Sequence, residues 1–175
     1  ISDTGTLSPL DQVSDDLVSM FNGFSDLTVL EVGARAFVFA GGDDGGFSIF
    51  EVLPDGRMVS VVHQTNVYTG DLSGSVQLDA VVVGGEIQIL ATSQNDPDLH
   101  SFVVQIADLG LLHETTSDGS QVIGHSGNDT IVSSHMGVQL EGGGGADHFV
   151  FDLVLGTVGS LGEITDFELG IDRIS

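Results

Sequence analysis

From residue 27 the apolar positions recur in short runs, 27–32, 35–40, 47–53 and 57–63, then again 76–83, 86–91, 99–106 and 111–115. Each run has the length of a β-strand and is bounded by Gly, Pro, Asn or Asp, which predicts strands joined by tight turns. The breaks carry turn chemistry. Asp44-Gly45 favours a hairpin, Pro54-Asp55-Gly56 fixes φ and then allows it to turn positive, and Gly84-Gly85 does the latter twice. Upstream, residues 1–7 read as the end of a hairpin around Asp3-Thr4-Gly5. Ser8 and Pro9 then open a short helix with Leu10, Val13, Leu17 and Met20 on one face and Gly23 as its stop, or else an irregular connector. After residue 115 the rhythm changes to a period of nine. Val122, Ile131, Leu140, Phe149, Val158 and Phe167 form one apolar column, which predicts continuous coiling to about residue 168.

The two sets of runs repeat one another: Gly33 and Gly84, and Ala40 and Ala91, are each 51 residues apart. Four antiparallel strands per unit of about 50 residues is the pattern of a β-propeller blade. The segment Phe37-Val38-Phe39-Ala40, Phe47-Ser48-Ile49-Phe50 and Pro54-Asp55-Gly56 is similar to blades of lactonase-like propellers, over about residues 27–115. Two blades cannot close a propeller, so the chain is expected to be a part of a longer one.

Two glycine-aspartate loops lie on the nine-residue column. They are Gly124-His125-Ser126-Gly127-Asn128-Asp129 and Gly142-Gly143-Gly144-Gly145-Ala146-Asp147, each followed two residues later by an apolar residue, Ile131 or Phe149. The pattern G-G-x-G-x-D-x-apolar-x resembles the RTX, or haemolysin-type, calcium-binding repeat. The second loop matches at every position, and the first has His125 in place of a glycine. The segment from Ile164 to Ile174 looks like the I-x-D-F-x-x-G-x-D-x-I stretch that follows such repeats. The resemblance implies a parallel β-roll with two nonapeptides per turn, so that Asp129 and Asp147 face one another across a gap. It implies one Ca2+ ion held by both aspartates and by carbonyls near Gly124, Ser126, Gly142, Gly143 and Gly145. Asp166 lies outside that set. It also implies secretion, by a bacterial type I route. The opposite edge, with Met136 and Val138 where glycine and aspartate belong, is expected to hold no ion.

The expected fold is therefore all-β: two propeller-like four-stranded blades over residues 1–115, then a short parallel β-roll over 116–175. Composition narrows the partners. The chain has three arginines and no lysine against 26 Asp plus Glu, a net charge of -23. That balance excludes nucleic acid as a direct partner and argues against anionic membrane surfaces. No cysteine is present, so disulfides and thiolate metal sites are excluded. No apolar run reaches the roughly 18 residues of a membrane span.

Other chemistry is sparse. His63 and His113 occupy equivalent places in the two repeats and read as structural caps, while His125 and His148 flank the calcium loops and read as solvated. Asp43-Asp44 and Asn95-Asp96-Pro97-Asp98 are acidic loops on successive blades, the pattern that a secreted propeller hydrolase with an RTX tail would need. The favoured reading is that these residues simply make turns. No nucleophile elbow or phosphate loop accompanies them. The favoured expectation is a calcium-binding secreted module attached to a propeller that binds an unknown ligand. The hydrolase, or a structural part of a surface adhesin, are the alternatives.

Overall fold

The computed structural model describes residues 8–15, 19–65, 72–151 and 159–175. Among these the chain is all-β, with fourteen strands, one short 3₁₀ turn at Ile106–Leu109 and no α-helix. The strands fall into two compact units, residues 1–103 and 104–175.

The N-terminal unit holds two antiparallel sheets. The first runs β1 (Asp26–Val32), β2 (Arg35–Gly41), β3 (Gly46–Val52) and β4 (Met58–Thr65) in sequence order, and the second β5 (Val76–Val83), β6 (Glu86–Ser93) and β7 (Asp96–Gln105). Alternation does what the sequence predicts in β2, where Phe37 and Phe39 are fully buried. In β3 both faces are buried from Gly46 to Glu51. Its polar members find partners there: Ser48 Oγ accepts the Met20 N–H at 2.8 Å, and Glu51 forms a two-pronged ion pair with Arg35 at 2.7 and 2.8 Å. Arg35 also lies over the Phe37 ring, 5.1 Å from its centroid. The Gly84-Gly85 turn has φ of 61° and 91°, the left-handed pair that a two-residue hairpin turn requires.

The 51-residue repeat survives in the first hairpin of each sheet. Ser25 and Val76 are repeat-equivalent and touch: Ser25 Oγ donates to Val76 O at 2.7 Å and accepts from Val76 N at 3.1 Å. The second set has three strands rather than four among the described residues. The run at 111–115 does form a strand, β8 (Leu112–Glu114), but it joins the C-terminal unit. The N-terminal helix is also absent from residues 8–15 and 19–23, and residues 1–7 and 16–18 lie outside the described residues. Of the aspartates there, Asp11 bonds to backbone elsewhere and Asp15 to a nearby side chain. Asp11 Oδ2 accepts the Met58 N–H at 2.7 Å, and Asp15 Oδ1 accepts from Ser19 Oγ at 3.0 Å. Over the described residues of this segment the chain is an irregular connector.

In the C-terminal unit successive strands alternate between two parallel sheets. After β8 come β9 (Gln121–Ile123), β10 (Thr130–Ser133), β11 (Val138–Glu141), β12 (His148–Phe151), β13 (Gly162–Ile164) and β14 (Arg173–Ile174). One sheet has the order β14-β12-β10-β8 and the other β13-β11-β9. Thr130 pairs with both Leu112 and His148, and Leu140 with Val122, so the step per turn is eighteen residues. Four members of the apolar column, Val122, Ile131, Leu140 and Phe149, are buried together between the sheets.

Beyond Phe151 the step lengthens. Leu140 pairs with Ile164 and Phe149 with Ile174, steps of 24 and 25 residues. Phe167 is therefore not the next member of the column. It is partly exposed, with its ring centroid 6.2 Å from that of Phe149. Val158 lies outside the described residues.

Candidate metal centre

The two loops are stacked one step apart, and glycine is what lets them come together. A Cβ on Gly124 would lie 2.1 Å from the Gly142 carbonyl oxygen and 2.5 Å from Asp129 Oδ2. One on Gly142 would lie 2.1 Å from Asp147 Oδ2, and one on Gly143 1.9 Å from the His125 carbonyl oxygen. Gly145 faces the Gly127 carbonyl in the same way, at 2.6 Å. Gly143 and Gly145 have φ of 95° and 126°, which turn the loop back on itself as no other residue readily does. Of the residues expected from sequence, Gly124, Asp129, Gly142, Gly143, Gly145 and Asp147 come together in this stack, while Ser126 is exposed on the first loop.

Asp129 and Asp147 are both almost wholly buried, at 0% and 1% exposure. Each carboxylate accepts the backbone N–H of the coil before it. Asp129 Oδ1 takes the Leu111 N–H, and Asp147 Oδ1 the Asp129 N–H at 2.8 Å. Asp172 Oδ1 continues the file by taking the Asp147 N–H at 2.9 Å. Asp166 caps the second loop, with its two oxygens accepting Gly142 N–H at 2.9 Å and Gly143 N–H at 2.7 Å. Burial pushes the Asp147 carboxyl above its ordinary range. The Asp129 N–H opposes that, and the nearby charges of Asp172, Asp129 and Asp166 add to it.

Asp166 and Asp172 are the residues that the repeat missed. The signal was present: Asp172-Arg173-Ile174 has the same aspartate-x-apolar spacing as Asp129-Thr130-Ile131 and Asp147-His148-Phe149. The longer step hid it, because eighteen residues after Asp147 stands Thr165.

The histidines also depart from expectation. His148 is buried in β12, an inner strand, with Nε2 2.9 Å from Ser175 Oγ. Burial, with Arg173 adding to it, lowers its pKa to about 4, so the ring is neutral at physiological pH. His125 is exposed as expected, but His113 belongs to β8 and approaches Asp129, with Nε2 3.9 Å from Oδ2.

The donor set suits a hard cation. Calcium takes six to eight oxygens at about 2.3–2.6 Å, and the stacked loops bring together two carboxylates and the carbonyls of His125, Gly127 and Gly142, of which the His125 carbonyl accepts the Gly144 N–H at 2.8 Å. The aspartates retain acceptor capacity, since an ionised carboxylate offers about four lone-pair positions. Among the described residues no helix is long and apolar enough to cross a membrane. Comparison with protein-family models, with curated proteins and with solved structures gives no match for this chain.

Proposed function

We propose that the C-terminal unit is a calcium-binding parallel β-roll of the RTX type that folds on its metal. In this reading one Ca2+ sits between the loops 124–129 and 142–147, held by Asp129, Asp147 and the inward carbonyls. The observation that carries the reading is the loop stack itself. Two glycine loops in eighteen-residue register pack so closely that a Cβ on Gly124, Gly142, Gly143 or Gly145 would meet a backbone or aspartate oxygen within 2.6 Å, beside two buried aspartates. A flexible glycine linker has no need of that register or of buried carboxylates.

The charge gives the metal a role in folding. Burial, and then the charges of Asp172, Asp129 and Asp166, raise the cost of ionising Asp147, and the glycine loops lose much conformational entropy on ordering. Calcium binds the folded coil and not the open chain. It therefore stabilises by RT ln(1 + [Ca]/Kd), about 2.7 kcal/mol at a hundredfold excess over Kd. A chain secreted from low to millimolar calcium would order this unit only outside the cell. The antiparallel sheets of the N-terminal unit fit, on the same terms, propeller-type blades that bind a separate ligand. Their support is the 51-residue correspondence of the two first hairpins.

The test is calcium titration of the 175-residue chain by calorimetry, with far-ultraviolet circular dichroism in chelator and in millimolar calcium. Calcium should raise the β signal and bind with a stoichiometry of about one. Asp147→Asn should abolish tight binding. An unchanged affinity in Asp147→Asn would refute the site.

A further inference from the structure

Against the first calcium loop stands a second group of side chains with different chemistry. His113 comes from β8, His125 from the loop after β9, and Asp129 from the residue before β10. The two imidazole rings stack, with centroids 5.5 Å apart and planes 16° from parallel. One ligand atom from each of the three residues lies within 4.8 Å of the others. His113 Nε2 is buried, has no hydrogen-bond partner, and sits 3.9 Å from the fully buried Asp129 Oδ2. Buried ring nitrogens are normally paired, and an unpaired one facing a carboxylate and a second imidazole marks a place for an ion.

We propose that His113, His125 and Asp129 bind a divalent transition metal of the zinc type. The assignment follows from the donors. Imidazole nitrogen suits zinc, copper or nickel and is a poor ligand for calcium, which takes oxygen. Two histidines and a carboxylate make a three-ligand site whose fourth position is open to water. Bonds of about 2.0–2.2 Å need the ligand atoms closer together than they stand here, so the site closes on its metal. His113 is fixed in a strand, whereas His125 is exposed on its loop and is the ligand that moves. The proposal shares Asp129 with the calcium reading but uses no loop carbonyl and no part of Asp147, so Asp147→Asn separates the two.

The test is zinc titration of the whole chain by calorimetry at neutral pH, followed by cobalt substitution read by visible absorption. Wild type should take about one equivalent of zinc, and the cobalt form should show the visible bands of a low-coordinate site. Partners in the outer shell alone are worth roughly 10–100-fold in metal affinity, so loss of a ligand should cost at least that. His125→Ala and His113→Ala should each show it. His100→Ala, whose ring pairs with Asp96 at 2.8 Å in the other unit, should bind zinc as wild type does. His125 is exposed, so its removal leaves the core packing in place and the test stands even where His113→Ala fails to fold. Zinc affinity unchanged in His125→Ala, or lost equally in His100→Ala, overturns the assignment. Asp147→Asn should keep zinc while losing calcium, and a loss of zinc in that variant would also count against it.

Discussion

Replacing Gly142, Gly143 and Gly144 one at a time by alanine should give three different outcomes from three adjacent residues of the same type. At Gly144 nothing lies within 4 Å of the new methyl group. Alanine there mainly narrows the unfolded ensemble and should stabilise by about 0.4–1 kcal/mol. At Gly142 the methyl group would lie 2.1 Å from Asp147 Oδ2 and 3.0 Å from Asp147 Cβ. That side chain is short, buried and tied to the Asp129 N–H, so it cannot swing aside freely, and overpacking should cost about 1–3 kcal/mol. The same energy taken from calcium binding raises Kd by roughly 5–150-fold. At Gly143 two costs combine. A φ of 95° is worth about 1–3 kcal/mol against alanine, and the obstacle at 1.9 Å is the His125 carbonyl, which moves only with the backbone. The assay is urea unfolding in millimolar calcium, followed by far-ultraviolet circular dichroism because the chain has no tryptophan. Stability should rank Gly144→Ala above wild type, then Gly142→Ala, then Gly143→Ala. Equal effects at all three positions would mean that the glycines form an unstructured run, and the stacked-loop geometry would have to be abandoned.

Three further outcomes follow from other contacts. Glu51→Gln should destabilise the N-terminal unit by about 3 kcal/mol in urea, because the half-buried Arg35 guanidinium keeps its charge and loses its two-pronged, fully buried partner. A loss under about 1 kcal/mol would mean that the guanidinium is solvated instead. Asp166→Ala should weaken calcium binding without abolishing it, since it removes two amide caps from the second loop but no ligand; calorimetry beside Asp147→Asn separates the cases. The Asp98 N–H, with His100 beside it, holds the Asp96 carboxyl below its ordinary range, so its contribution to stability is present above the unfolded value of 3.8 and is lost as pH falls through the lower folded one. Asp96→Asn should therefore lower the melting temperature at neutral pH and match wild type in strong acid. A difference that persists there would point to lost packing rather than lost charge.

What the sequence revealed and what it hid have physical causes. Hairpins closed by Gly84-Gly85 and the column Val122, Ile131, Leu140 and Phe149 were legible because turn chemistry and strand period are local and repeat. The partner of β8 was not, because an alternating run says that a strand forms and not which sheet it enters. Stepping back eighteen residues from Ile131 reaches His113, a polar residue that ends the apolar column just where the coil begins. The longer final step was masked by accident: Val158 and Phe167 are apolar and keep the period of nine, although the strand that follows β12 in its sheet pairs Phe149 with Ile174. The N-terminal helix failed for a different reason. Asp11 binds the Met58 backbone N–H instead of supporting a helix, and no count of apolar spacing registers that competition.

The longer step changes the charge placed along this edge of the coil. Neighbouring strands in a sheet are about 4.7–4.9 Å apart, so Asp129, Asp147 and Asp172 form a file of carboxylates at roughly that interval. At about 5 Å and an effective dielectric constant near 20, two like charges repel by about 3 kcal/mol. Against the two neighbour repulsions stand five amides donated to these carboxylates, from Leu111, His125, Asp129, Asp147 and Glu168, each worth about 1.5–3 kcal/mol. The amides offset the repulsion. A cation changes the balance, because it replaces repulsion with attraction and leaves the amide hydrogen bonds in place. An eighteen-residue step from Asp147 would have brought Thr165 into the file, a neutral residue. The 25-residue step brings Asp172, adding a third charge and making the stability of the last coils depend more steeply on whether a cation is bound.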